Sequence, residues 1–310
     1  MKKVFIDGSA GTTGLRIFER LSARQDLELM ILPDAVRKDP AARKQALNSC
    51  DVAFLCLPDA AAIEAVSLIE NDRVTVLDTS TAHRTDPDWA YGFPELGEDF
   101  KEKLLGSHRI AVPGCHASGF IALVSPLVKA GLLPETAQLT CHSITGYSGG
   151  GKNMIAQYEA EDRDSLLDAP RQYGLTQTHK HLKEMKAICG LEQAPIFCPI
   201  VSDFYSGMMV TVPLFKEQLK PGTTVADIQN VYAAQYQGPM VKYLPQMDEG
   251  GFISGAGLSH KDNMEVTVCG NDDRILLIAR YDNLGKGASG AAVQCLNLVL
   301  GCDPTTGLEL

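Results

Sequence analysis

Nowhere in this chain do apolar residues run for the ~20 positions that a membrane-spanning helix needs. The first apolar stretch, Val4-Phe5-Ile6, is also too short for a signal peptide. Basic residues are in deficit: 28 Lys and Arg stand against 38 Asp and Glu, a net charge of −10. That balance argues against a nucleic-acid binder, which would carry a basic face, yet it leaves room for a local basic pocket around a small phosphorylated substrate. The nine cysteines (Cys50, Cys56, Cys115, Cys141, Cys189, Cys198, Cys269, Cys295 and Cys302) have no framework spacing. Scattered through apolar runs, they fit reduced thiols better than a disulfide scaffold. Cys115-His116 and Cys141-His142 are adjacent pairs without the ligand spacing of structural zinc, so no metal site is expected. Internal repeats, long linkers and low-complexity segments are absent as well. These absences leave a cytoplasmic globular protein with neither a membrane nor a nucleic acid as partner. Its 310 residues suffice for two domains, each with its own core.

The first part of the chain alternates strand and helix. Strands are expected at 4–6, 27–32, 52–57, 74–77 and 110–112, with helices at 13–24, 40–50 and 60–70 between them. The near-continuous apolar run Val52–Leu57 suits a parallel strand covered on both faces. This order predicts an α/β, Rossmann-type, doubly wound parallel sheet. From about residue 137 longer strands with polar alternation take over, at 139–145, 196–201, 204–214, 264–269 and 274–281. Helices at 153–167, 178–189 and 225–235 separate some of them. They predict a second, α+β domain with a mainly antiparallel sheet. The apolar helix at 287–300 is placed back against the first domain. The expected division is therefore 1–116 with 286–310 for dinucleotide binding, and 117–285 for catalysis and oligomerisation.

Gly8-Ser9-Ala10-Gly11-Thr12-Thr13-Gly14 joins the first strand to the first helix. Glycines permit a tight turn and close backbone approach to a pyrophosphate, which a helix N-terminus then favours. The spacing is G-x-x-G-x-x-G rather than the commoner G-x-G-x-x-G, and in isolation it would describe a plain turn; its place between strand and helix points to a dinucleotide. Gly8, Ser9, Gly11, Thr12, Thr13 and Gly14 are the candidate contacts. Near the end of the second strand Asp34 suits NAD, whereas Arg37 and Lys38 suit the 2′-phosphate of NADP. Two cations against one carboxylate favour NADP(H), with a solvated loop as the alternative.

The run Ile110-Ala111-Val112-Pro113-Gly114-Cys115 brings a thiol to the point where a helix begins, a setting whose N–H groups favour a nucleophilic thiolate. Cys115 is the candidate nucleophile. Thr178-His179-Lys180-His181-Leu182-Lys183-Glu184 reads as the first turn of a helix, in which His181 and Glu184, three apart, share a face. Histidines at i and i+2 do not, so His181 is taken as the proton partner, with His179 as the alternative. Gly146-Tyr147-Ser148-Gly149-Gly150-Gly151-Lys152-Asn153 nearly matches a Walker A loop, but Asn153 stands where a hydroxyl would bind Mg²⁺. The expectation is glycine backbone lining a site, with Lys152 facing a phosphate.

The glycine loop, Tyr91-Gly92-Phe93-Pro94-Glu95-Leu96, Pro113-Gly114-Cys115, His179-Lys180-His181 and Asp282-Asn283-Leu284-Gly285-Lys286-Gly287-Ala288-Ser289-Gly290 follow one another in this order. Together they resemble the short subfamily of N-acetyl-gamma-glutamyl-phosphate reductases, within the semialdehyde dehydrogenases, over residues 4 to about 300. Where longer members have Tyr-Pro after the cysteine this chain has His116-Ala117, and Lys183 replaces a proline. The resemblance implies NADPH-dependent reduction of a small acyl phosphate to an aldehyde with release of phosphate, through a thioester on Cys115. It also implies a homodimer or homotetramer. Arg84 matches a family position for phosphate binding beside Lys152 and Glu184, and Pro58, Gly149, Asn283 and Lys286 fall on the cofactor side. An aspartyl-phosphate-type semialdehyde dehydrogenase is the nearest rival. A non-catalytic NADP sensor and a P-loop ATPase are more distant ones.

Overall fold

Alternate residues of the N-terminal strands feed two different cores, which is what a sheet covered on both faces demands. The computed structural model describes residues 1–310. It divides into one unit of Met1–Pro94, Glu98–Gly114 and Ala288–Leu308 and another of Glu95–Gly97, Cys115–Gly287 and Glu309–Leu310.

In the first unit the chain runs β1 (Lys2–Asp7), α1 (Thr12–Ser22), β2 (Leu27–Met30), α2 (Pro40–Ser49), β3 (Val52–Leu55), α3 (Asp59–Ser67), β4 (Thr75–Asp78), β5 (Ala90–Tyr91), α4 (Glu98–Leu105) and β6 (Arg109–Ala111). The strands are all parallel, in the order β2-β1-β3-β4-β6-β5. Val4, Ile6, Val52 and Phe54 point into one core with Ile17 and Leu21 of α1. Phe5, Ala53 and Leu55 point into the other, with Leu47 of α2 and Ala62 of α3. The first of these cores also receives Ala291–Leu296 of the C-terminal helix. Helix α4 is too short and too charged to show a periodic apolar face; Leu104 alone of its residues is buried.

The second unit holds α5 (Cys115–Lys129), β7 (Thr140–Gly146), α6 (Gly151–Glu159), β8 (Arg171–Gln172), α7 (His181–Cys189), β9 (Ile196–Ser202), β10 (Met208–Phe215), α8 (Val225–Gln235), β11 (Val241–Tyr243), β12 (Met264–Asn271) and β13 (Arg274–Tyr281). Its seven strands are ordered β11-β12-β13-β10-β7-β9-β8. The pairings are mainly antiparallel, but β7 with β9 and β11 with β12 are parallel, so the sheet is mixed. Helix α9 (Gly290–Val299) returns to the first unit after a π-helical turn at Gly285–Ser289.

Helix α5 is buried along nearly all its length despite an internal proline. Pro126 has no N–H for the carbonyl of Ala122; the Tyr236 hydroxyl donates to that carbonyl instead, at 2.6 Å. Tyr232 donates to the next one, of Leu123.

Several predicted boundaries move, three of them as follows. The helix expected at 153–167 ends at Glu159, where Ala160 turns extended and Arg163 is drawn onto Asp168 and Asp203 at 2.5 and 2.7 Å. The strand expected from 204 begins at Met208, because the carbonyls of Phe204 and Tyr205 face the N–H groups of Tyr147 and Ser148. The helix expected from 178 begins at His181.

Candidate active site

The cofactor crevice of the first unit is built where the winding of the sheet reverses, between β1 and β3, the usual ligand position in such sheets. Gly8 has φ +87°, and a Cβ there would lie 2.3 Å from the Cys56 carbonyl oxygen. A Cβ on Gly14 would lie 2.4 Å from the Gly8 carbonyl oxygen. Both positions therefore require glycine, and the turn is pressed onto the loop that follows β3. Gly11 is the N-cap of α1 and supplies no side-chain cap, so the first-turn N–H groups, at Thr12 and Thr13, are left for an outside acceptor. Gly8 to Thr13 keep partial exposure, whereas Gly14 is buried. Pro58 caps α3 at the same crevice. A tight glycine turn ending in an uncapped helix fits the pyrophosphate of a dinucleotide. Beneath it, burial raises the Asp7 carboxyl and Arg43 opposes that, at 3.0 Å. Arg37 and Lys38 lie in the exposed loop after β2, with Arg37 on Asp34 at 3.2 Å.

In the second unit Cys115 is the first residue of α5. Its neighbour His116 lies about 100° further round the helix and is turned into the interior, 3% exposed. There its Nδ1 meets the Ser143 hydroxyl and its Nε2 the Tyr173 hydroxyl, each at 2.6 Å. Burial, with His179 close by, pushes the His116 imidazole down to about 3, so it is neutral at any ordinary pH. His179 and His181 complete a cluster: ring centroids are 5.6 Å apart for His116 and His181, 6.0 Å for His116 and His179, and 4.7 Å for His179 and His181. Phe197 closes the apolar side. The Tyr173 phenol is raised by burial and then by the charge of a Cys115 thiolate. Glu184 is 2% exposed, and its charge bears on His179.

The two histidines of the H-x-H segment differ in attachment. His179 lies ahead of α7, and its Nδ1 accepts the backbone N–H of His181 at 3.2 Å. A neutral His179 then carries its proton on Nε2. Burial lowers its pKa from the ordinary value. His181 opens α7, which packs against α5.

Other predicted contacts have internal duties. Arg84 is buried and donates from Nε to the Val112 carbonyl at 2.8 Å and from Nη2 to the Thr79 carbonyl at 2.9 Å. It thereby clamps the strand end three residues before Cys115 in the chain. Asn283 accepts from the Gly207 N–H at 2.9 Å and donates to the Ser148 hydroxyl at 3.0 Å. Gly149 packs on that amide, 3.1 Å from its nitrogen for an added Cβ. Lys286 is 1% exposed and ion-paired with Glu95 at 2.8 Å. Lys152 is exposed in the first turn of α6. The Walker-like loop does not form a phosphate cradle: Tyr147–Gly150 is a 3-10 turn, and the N–H groups of Tyr147 and Ser148 are spent on Phe204 and Tyr205. Sequence reasoning missed Tyr173, Ser143 and His116 as parts of the cluster. Only the adjacency of His116 to Cys115 offered a signal.

A doubly wound parallel sheet with a nucleotide turn, and a thiol opening a helix near three imidazoles, define a semialdehyde dehydrogenase, an oxidoreductase using a nicotinamide cofactor. The family model described as semialdehyde dehydrogenase, NAD binding domain, matches residues 33–103. The one described as semialdehyde dehydrogenase, dimerisation domain, matches residues 115–283. Aspartate semialdehyde dehydrogenase II of Vibrio cholerae shares the fold, with a TM-score of 0.73 at 16% identity over 97% of this chain and 98% of that one. The Candida albicans aspartate semialdehyde dehydrogenase with NADP scores 0.69 at 16% identity, covering 97% of this chain and 99% of that one. Sequence similarity is narrower. A Sinorhizobium medicae protein named N-acetyl-gamma-glutamyl-phosphate reductase is 45% identical over 305 residues, 96% of this chain and 98% of that one. A Nostoc protein named N-acetyl-gamma-glutamyl-phosphate reductase 2 is 44% identical over 318 residues, 99% of each. The chain belongs to the N-acetyl-gamma-glutamyl-phosphate reductase family. No helix in it is long and apolar enough to cross a membrane.

Proposed function

We propose that this enzyme reduces N-acetyl-gamma-glutamyl phosphate to N-acetylglutamate 5-semialdehyde and phosphate, with NADPH as reductant. The observation that carries the reading is Cys115 as the first residue of α5, beside a buried cluster of His116, His179 and His181. His181 takes the thiol proton, and the sulfur attacks the acyl carbon. The bond from that carbon to the phosphate oxygen breaks, phosphate departs, and a thioester remains on Cys115. When bound, the reduced nicotinamide supplies the hydride that the acyl carbon receives. The resulting thiohemiacetal then collapses: its C–S bond breaks, the aldehyde leaves, and His181 returns the proton to sulfur. His179 and Glu184 hold the imidazole of His181 in place. Lys152 is the proposed phosphate contact. The Gly8–Gly14 turn, Pro58 and the Arg37-Lys38 pair hold the dinucleotide, the last two through its 2′-phosphate.

The protein acts as a homodimer or homotetramer in the cytoplasm, where its nine free thiols stay reduced. The outer face of the second unit's sheet leaves Ile196 and Phe215 each 62% exposed and Leu276 40% exposed. Such an apolar face suits a second copy of the chain, in keeping with the family model's description. The direct assay is NADP-dependent oxidation of N-acetylglutamate semialdehyde in the presence of phosphate. No turnover by the wild-type protein overturns the assignment, and faster turnover of aspartate semialdehyde reassigns the substrate.

A further inference from the structure

Tyr281 closes β13 and is fully buried. Its hydroxyl donates to the Cys115 carbonyl at 2.6 Å and accepts the Gly119 N–H at 3.0 Å. Residues 115 and 119 are the acceptor and donor of one helical rung, so a side-chain hydroxyl bridges the first rung of α5. Gly119 makes room for it, because a Cβ there would lie 2.7 Å from that oxygen.

The chain that follows comes back to the same residue. Asp282 ties the turn: its carboxylate accepts N–H groups from Leu284 at 2.7 Å, Gly285 at 3.0 Å and His260 at 2.5 Å. Its carbonyl accepts those of Gly285 and Gly287, at 3.1 and 3.0 Å. The π-helical turn then carries Gly287 against the thiol residue, where an added Cβ would lie 3.1 Å from the Cys115 Cβ. One stiff segment, 281–287, thus holds Cys115 by its carbonyl and by its Cβ. π-turns recur at functional positions for this kind of reason.

We propose that Tyr281 is a positioning residue for the nucleophile: its hydroxyl fixes the peptide that follows Cys115 and so sets the direction of the Cα–Cβ bond and the aim of the thiolate. This rests on the reading of Cys115 as the attacking group. Misplacing a reacting atom by about 1 Å can cost ~10²-fold in rate, and loss of one of two holds on Cys115 displaces it less than that.

Tyr281→Phe removes the oxygen and keeps the ring. Tyr236→Phe is the matched variant, because it removes another buried hydroxyl from a carbonyl of the same helix, that of Ala122. Tyr281→Phe should lower kcat roughly tenfold with KM little changed. It should also slow iodoacetamide alkylation of Cys115 and move the pH midpoint of that alkylation upward, as the helix N–H groups lose their alignment on sulfur. Tyr236→Phe should lower the melting temperature and leave the alkylation profile where it was. The proposal is overturned if Tyr281→Phe alkylates and turns over like wild type, or if both variants shift the alkylation profile alike. Cys115→Ser separates the two readings: turnover that survives it removes the nucleophile itself, whatever Tyr281 does.

Discussion

The Nδ1 of His179 accepts the backbone N–H of His181 at 3.2 Å, so the ring of one histidine holds the first N–H of the helix that the other opens. That relationship divides their labour. A ring whose Nδ1 is held by a backbone donor is fixed in one tautomer, while His181 lies 5.6 Å from the His116 ring, on the helix packed against α5.

His181→Ala should therefore cost ~10²-fold or more in kcat, the usual loss for a general acid–base. His179→Ala should cost about 1 kcal/mol of stability, as for a lost side-chain hydrogen bond to a helix N-terminus, with a smaller fall in kcat. Steady-state kinetics and thermal melts of the two variants decide it. A near-neutral His181→Ala with a crippled His179→Ala would exchange the roles.

Two cations are candidates for the substrate phosphate, and the structure treats them differently. Arg84 is buried with Nε and Nη2 on backbone carbonyls, whereas Lys152 is exposed. Arg84→Met should destabilise the protein by about 1–3 kcal/mol, the cost of stranding buried acceptors. Lys152→Ala should leave stability unchanged and raise the KM for phosphate in the oxidative direction. If Arg84→Met instead folds with wild-type stability and a raised phosphate KM, the clamp is really a phosphate site.

What the sequence disclosed followed the range of the interactions involved. The parallel sheet was legible because Val52–Leu55 is buried on every residue and the glycine turn joins adjacent elements. The parallel pairs within the second sheet were not, because β7 meets β9 across some fifty residues of intervening chain that periodicity does not reach. Helix starts were read too early where a side chain holds the first N–H: Thr178–Lys180 looks helical, but the His179 ring accepts from the His181 N–H. Cys115 stood out by its Pro-Gly turn. Tyr173 and Ser143 carry no local mark, since only the fold brings them to His116. As ligand contacts, Arg84 and Asn283 rest on the family resemblance alone, which carries no sign of their internal bonds to the Val112 carbonyl and the Gly207 N–H.

The buried His116 makes stability depend on acid. Its folded-state pKa is lowered from 6.5 to about 3, first by burial and then by His179. The unfolded chain binds this proton more readily than the folded one, so stability is whole above about pH 6.5. It falls as the pH drops towards 3, by on the order of 4 kcal/mol if His116 alone is counted. His116→Gln keeps hydrogen-bonding capacity without the titration, and should flatten urea-unfolding stability between pH 6 and pH 4 relative to wild type. An acid limb as steep in the variant as in wild type would show that other groups, not His116, drive it.

The proposed preference for NADPH rests on the loop after β2. Arg37 pairs with Asp34 at 3.2 Å, and both are solvent-exposed. An exposed pair of that kind is worth little by itself, so Arg37 can leave Asp34 for a 2′-phosphate at small cost, with Lys38 beside it. The double variant Arg37→Ala, Lys38→Ala should raise the KM for NADPH by roughly tenfold, the equivalent of about 1.4 kcal/mol. The KM for NADH and the kcat with either cofactor should stay near wild type, because nothing in the hydride step depends on these side chains. Asp34→Ala should act in the opposite direction, lowering the KM for NADPH by freeing Arg37. Parallel kinetics with both cofactors test the point. Equal losses for NADPH and NADH would mean that the loop shapes the whole dinucleotide crevice, and an unchanged NADPH KM would remove Arg37 and Lys38 from cofactor recognition.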